Sequence, residues 1–119
     1  MKVQFLYFEG CPHHQKSFQM LHAILEELGI TASLTRVEVK NNRDAVKHKF
    51  IGSPTIRIDG LDIDRVKGKP IYARTCRIYR VNGKLTGLPS QRMIEDAIRA
   101  AANRAAQSVH YGSPPQQPS

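Results

Sequence analysis

No run of this sequence approaches the roughly 20 apolar residues that a membrane span needs, so no membrane partner is expected. The first residues carry no signal peptide either. The apolar run after Lys2 is short, and no small-residue cleavage site follows it. A reducing cytoplasm is therefore the expected location. Cysteine is scarce, with two in the chain, Cys11 and Cys76. In such a compartment they are expected to be reactive or metal-binding rather than a permanent staple. Acidic residues are also few, 10 against 18 Lys and Arg, which leaves a formal charge of +8. That excess attracts anionic surfaces in general. The basic residues are scattered, however, and no nucleic-acid motif frames them, so a solvated basic surface is expected and nucleic acid is not expected as a partner. Internal repeats are absent. What remains is 119 residues, 40% hydrophobic and 24% charged, enough for one small domain with a single core.

The most informative stretch is residues 3–14, Val-Gln-Phe-Leu-Tyr-Phe-Glu-Gly-Cys-Pro-His-His. Val3, Phe5, Leu6, Tyr7 and Phe8 form a nearly continuous apolar run, as in a strand covered on both faces. Gly10 permits a sharp turn. Pro12, with fixed φ and no N–H, suits the first position of a helix. Cys11 is then expected at or just before a helix N-terminus, where free amide protons and the helix dipole favour a thiolate.

Residues 13–28 carry Phe18, Leu21, Ile24, Leu25 and Leu28 at helical spacing, with Gly29 as C-cap. Residues 32–40 read as a strand with a bulge near Thr35–Arg36. A short helix is expected over 43–50, capped by Asn42, with Ala45, Val46 and Phe50 inward. Thr55–Ile58 reads as a strand ending in an Asp-Gly turn, with Pro54 at its start. Residues 61–72 read as a mobile connection. Residues 75–81 alternate, and Asn82-Gly83 predicts a hairpin pairing them with 84–86. Ser90 can cap a last helix through about Gln107, with Met93, Ile94, Ala97, Ile98, Ala101 and Ala105 on the buried side. Residues 108–119 read as a disordered tail.

The resulting order, βαβαββα, predicts an α/β domain over 1–107: a four-stranded mixed sheet with helices on both faces. That order, with Cys11-Pro12 after the first strand and Ser53-Pro54-Thr55 before the third, resembles the thioredoxin-like superfamily. More narrowly, residues 6–12, Gly52-Ser53-Pro54-Thr55 and Cys76-Arg77-Ile78-Tyr79 resemble a group of small bacterial thioredoxin-like proteins without an established reaction. The resemblance implies a cis-proline at Pro54 and thiol chemistry at Cys11. The family's second cysteine would fall at position 14, where this chain has His14. Dithiol chemistry within Cys11-Pro12-His13-His14 is thus impossible.

Three mechanisms follow. In the first and leading one, Cys11 acts alone in thiol–disulfide exchange or thiol sensing, and an external thiol such as glutathione resolves the mixed disulfide. His13 or His14 would stabilise the thiolate or supply a proton. A cis Pro54 would expose backbone groups beside Cys11 to an extended peptide or glutathione. In the second, Cys76 is the resolving thiol; the preferred reading of Cys76 at this level is an inert small side chain in the core. In the third, Cys11, His13, His14 and His22 hold a soft or borderline metal. A binding module with a basic surface is the remaining alternative. No resident cofactor is expected, and the partner is a protein or small-molecule thiol or disulfide. His22 and His48 are expected on the surface, and Tyr7 and Phe8 in the core.

Overall fold

The computed structural model describes residues 1–66 and 68–112. Its elements are β1 (Lys2–Tyr7), α1 (His14–Glu27), β2 (Ser33–Glu38), α2 (Asn42–Lys47), β3 (Thr55–Ile58), β4 (Leu61–Asp62), β5 (Tyr79–Val81), β6 (Lys84–Thr86) and α3 (Gln91–Gly112). The apolar run at the start becomes the second strand of a four-stranded mixed sheet ordered β2-β1-β3-β4. β1 pairs parallel with β2 and antiparallel with β3, and β3 pairs antiparallel with β4.

Both faces of β1 are covered, which is why its apolar residues do not simply alternate. Val3, Phe5 and Tyr7 point to one side, with Ile56 and Ile58 of β3, and pack on Leu21, Ile24 and Leu25 of α1 and Ile94, Ile98 and Ala101 of α3. Leu6 points to the other side, into a smaller cluster with Val39, Ala45 of α2 and Phe50.

Local signals account for most of the boundaries. α1 ends as its sequence implies: Gly29 has φ +65°, its N–H bonds to the Glu26 carbonyl, and Ile30 N–H bonds to that of Leu25, the paired arrangement of a Schellman ending. α3 opens with Ser90 Oγ accepting from Met93 N–H at 3.1 Å, and Ala105, expected on its buried side, is exposed. The cap of α2 is Asn41 rather than Asn42, its side chain accepting from Asp44 N–H at 2.8 Å; the helix stops at Lys47, and Val46 is exposed instead of inward. β2 pairs with β1 without interruption from Ser33 to Glu38, so no bulge occurs at Thr35–Arg36.

The expected order needs one larger correction. Asp59 and Gly60 both have positive φ and turn the chain directly into β4, so the fourth strand is Leu61–Asp62, inside what reads as a mobile connection. The Asn82-Gly83 hairpin forms, again with positive φ at both turn residues, but β5 and β6 make a separate two-stranded sheet. A hairpin signal specifies which two strands pair with each other and says nothing of the sheet they join. α3 continues through Gly112, beyond the expected end at Gln107. Residues 113–119 of the expected tail lie outside the described residues.

Candidate functional site

The turn after β1 is closed by Cys11 N–H donating to the Phe8 carbonyl at 3.1 Å. Pro12 is exposed and lies outside α1, which begins at His14 with His13 as its N-cap. Helix formation starts later than the proline predicts because His13 (φ −107°, ψ 0°) sits short of helical geometry and has no side-chain capping bond. Cys11 therefore precedes the N-cap by two positions and is not itself the cap. It is also buried, at 2% exposure, with its Sγ donating to the Ser53 carbonyl at 3.5 Å.

Ser53 is the hub on the opposite side. Its peptide bond to Pro54 is cis, as the resemblance implies. Its hydroxyl accepts from Phe8 N–H at 3.4 Å, which ties the Phe8–Cys11 turn to the segment before β3. Its own backbone groups are already engaged. Ser53 N–H donates to the Thr75 carbonyl at 2.8 Å, and Arg77 N–H donates to the Ser53 carbonyl at 3.0 Å. Ser53 and Cys76 thus form a parallel bridge, and residues 75–77 lie as a strap along the segment ahead of β3. The backbone groups of Ser53 beside Cys11 are filled by the chain itself and not left open to a peptide or glutathione.

The strap delivers Cys76 to Cys11. Cys76 is exposed, so it is not the core side chain expected of it. Most of the residue faces solvent, and its pKa is raised above a free cysteine's, with partial burial of the sulfur as the leading cause and the neighbouring Cys11 thiol as the next. Cys76 accordingly holds its proton at a pH where an isolated cysteine would begin to lose it.

What turns Cys76 outward is the residue after it. Along an alternating segment, Cys76 and Ile78 share one face and Arg77 and Tyr79 the other. An apolar-inward rule buries Cys76 and Ile78. The protein does the reverse: Ile78 is 65% exposed, while Arg77 is 5% and Tyr79 0% exposed. The Arg77 guanidinium makes a two-pronged pair with Asp62 of β4, at 2.7 and 2.8 Å, and also donates to the Asp64 carbonyl and to Thr55 Oγ1. It lies 4.6 Å over the Tyr79 ring. The Tyr79 hydroxyl in turn donates to the Pro54 carbonyl at 2.5 Å, and burial pushes its pKa upward. Thr55 Oγ1 donates to the Gly52 carbonyl. Gly52 has φ +141°, and a Cβ there would overlap the Arg77 backbone, so only glycine lets the strap lie this close.

Asp62, Arg77 and Tyr79 are the site residues that sequence reasoning missed. The available signal was Arg77 inside an otherwise apolar strand pattern. It went unread because an arginine is seldom buried unless paired, and its partner lies in a segment with no strong signal.

The histidines do not gather on the sulfur. The His13 ring lies against Gly87, where a Cβ would overlap it. His14 is buried rather than an exposed polar residue, stacks on Tyr7 with ring centres 4.7 Å apart, and leaves Nδ1 without a partner among the described residues. His22 pairs with Glu26 on the exposed face of α1. Among the described residues, no three His, Cys, Asp or Glu side chains converge as a metal would require. Nor is any described helix long and apolar enough to cross a membrane. Compared with protein-family models and with curated proteins, the chain matches none.

Proposed function

We propose that this protein is a thioredoxin-like thiol–disulfide exchange or thiol-sensing protein of the reducing cytoplasm, in which the reacting pair is Cys11 and Cys76. The single observation that carries the reading is that two cysteines from separate segments meet at Ser53: Cys11 Sγ on its carbonyl, and Cys76 bridged to its backbone. The sheet order β2-β1-β3-β4 supports it, with Gly10-Cys11-Pro12 after β1 and Ser53-Pro54-Thr55 leading into β3. A two-cysteine mechanism is favoured over the one-cysteine one because a second thiol lies beside the first. The metal variant loses support because no three ligating side chains converge among the described residues.

The chemistry is an exchange between the two protein thiols and one external disulfide, from glutathione or a protein. Cys76, exposed, is the sulfur an incoming disulfide meets first; Cys11 is covered. The Cys76 thiolate attacks one sulfur of the disulfide, forming a mixed disulfide and releasing the first thiolate, which takes up a proton. Cys11 then loses its proton and attacks the Cys76 sulfur, forming the Cys11–Cys76 bond and releasing the second thiol. Two protein thiols are oxidised to one disulfide, and one external disulfide is reduced to two thiols. The raised pKa of Cys76 makes its attack slow at neutral pH and faster as pH rises.

The test is oxidation by glutathione disulfide followed by mass spectrometry of the intact and digested protein. The expected product of the wild type is a Cys11–Cys76 disulfide. Cys11→Ser is expected to accumulate a stable glutathione adduct on Cys76. A wild-type protein that accumulates the same stable adduct, or reacts at neither cysteine, would defeat the proposal.

A further inference from the structure

Three ion pairs join the described residues. Two are exposed pairs one turn apart on single helices, His22–Glu26 and Arg92–Asp96. The third, Asp62–Arg77, is different: its side chains are 16% and 4% exposed, and it links β4 to the strap. Buried pairs seldom add net stability over apolar residues of similar size, because desolvating both charges costs about what their attraction returns. A small domain that keeps one next to two adjacent thiols invites the question of what it positions.

The strap is held at its two ends by other groups: Arg74 donates from its N–H to Asn42 Oδ1 and from Nε to the Val39 carbonyl, and buried Tyr79 reaches the Pro54 carbonyl. Ile78 is exposed, as are Arg74, Thr75 and Cys76, so no apolar side chain from residues 74–76 or 78 anchors the segment inward. Two backbone bonds to Ser53 fix its register beside Cys76, and the Arg77 guanidinium ties that same point to β4, reaching Asp62, the Asp64 carbonyl and Thr55. We propose that Asp62 and Arg77 are a positioning pair: by clamping the strap to β4 they hold the Cys76 thiol against Cys11, and so set how readily the two close into a disulfide. The proposal rests on the two-cysteine reading above. Neither residue touches the reacting sulfurs. Their effect is on the local concentration of one thiol about the other, which falls steeply once a tether is loosened.

The experiment measures the equilibrium constant of the Cys11–Cys76 disulfide against defined ratios of reduced and oxidised glutathione, with urea unfolding of each reduced variant run alongside. Asp62→Asn is expected to lower that constant at least about tenfold through loss of effective concentration. Arg77→Lys, which keeps the charge but not the two-pronged geometry, is expected to fall between Asp62→Asn and the wild type. Stranding one buried charge can unfold a small domain, so the double variant Asp62→Leu with Arg77→Met, which leaves no orphan charge, carries the test if the single variants do not fold. A purely structural pair would change the urea midpoint and leave the glutathione constant of the folded protein within about twofold of wild type, well under 1 kcal/mol; that result overturns the proposal. A wild type that forms no Cys11–Cys76 disulfide brings down the two-cysteine reading and the clamp with it. A wild-type disulfide unmoved by the variants brings down the clamp alone.

Discussion

Replacing Tyr79 by Phe removes one hydroxyl and little else. The ring is fully buried, and its face stays under the Arg77 guanidinium at 4.6 Å, so packing and the cation–π contact survive. What is lost is the donor at 2.5 Å from the carbonyl of buried Pro54, which is then left without a side-chain partner among the described residues. A buried acceptor left unsatisfied costs roughly 1–3 kcal/mol, and relief from burying the hydroxyl itself trims this to about 1–2 kcal/mol. With a urea m-value of about 2 kcal/mol per molar, in the middle of the range for small domains, the midpoint should fall by roughly 0.5–1 M. The assay is urea unfolding of the reduced protein, followed by far-UV circular dichroism. A second arm uses pH. The folded-state pKa of Tyr79 is raised, so the folded protein holds this proton more tightly than the unfolded chain does. The associated stability is complete below the unfolded value of about 10 and is lost as pH climbs from there toward the folded value. Above that pH the wild-type midpoint should drop more steeply than that of Tyr79→Phe. Equal midpoints at neutral pH together with parallel alkaline slopes would refute the claim that this hydroxyl braces the Pro54 segment.

Two further outcomes are expected. Alkylation of Cys76 by iodoacetamide should titrate above a free cysteine. In Cys11→Ser its midpoint should move down, because the contribution of the Cys11 thiol vanishes and only burial stays; an unmoved midpoint would separate the two sulfurs. Gly52→Ala should lower stability by at least about 1–3 kcal/mol from the positive φ alone. It should also reduce the yield of Cys11–Cys76 disulfide, since its Cβ would come within 2.7–3.0 Å of Arg77 atoms; full retention of both would show that the strap has room to spare.

Several local signals were read correctly for local reasons. The glycine that ends α1, the serine that opens α3 and the Asp-Gly and Asn-Gly turns each act through their own backbone or a bond to a near neighbour. Where the reading failed, the signal was weak or the backbone departed from it. β4 is two residues long and carries no pattern of its own; it exists because β3 offers an edge immediately after a tight turn. The start of α1 slipped past Pro12 because His13 stops short of helical geometry. α2 ends at Lys47, one turn short of the expected helix, and Val46 is exposed.

Sequence alone determined that a strand, a glycine turn and a cysteine would open an α/β domain, because alternation, turn chemistry and capping are properties of a few adjacent residues. It also placed Cys76 on the opposite face of its segment from Arg77 and Tyr79. Which face would be buried was beyond it. The apolar pattern sends Cys76 inward; only the folded chain sets Asp62 of β4 where it can neutralise Arg77. With that charge satisfied, Arg77 goes in, and Cys76 comes out beside Cys11.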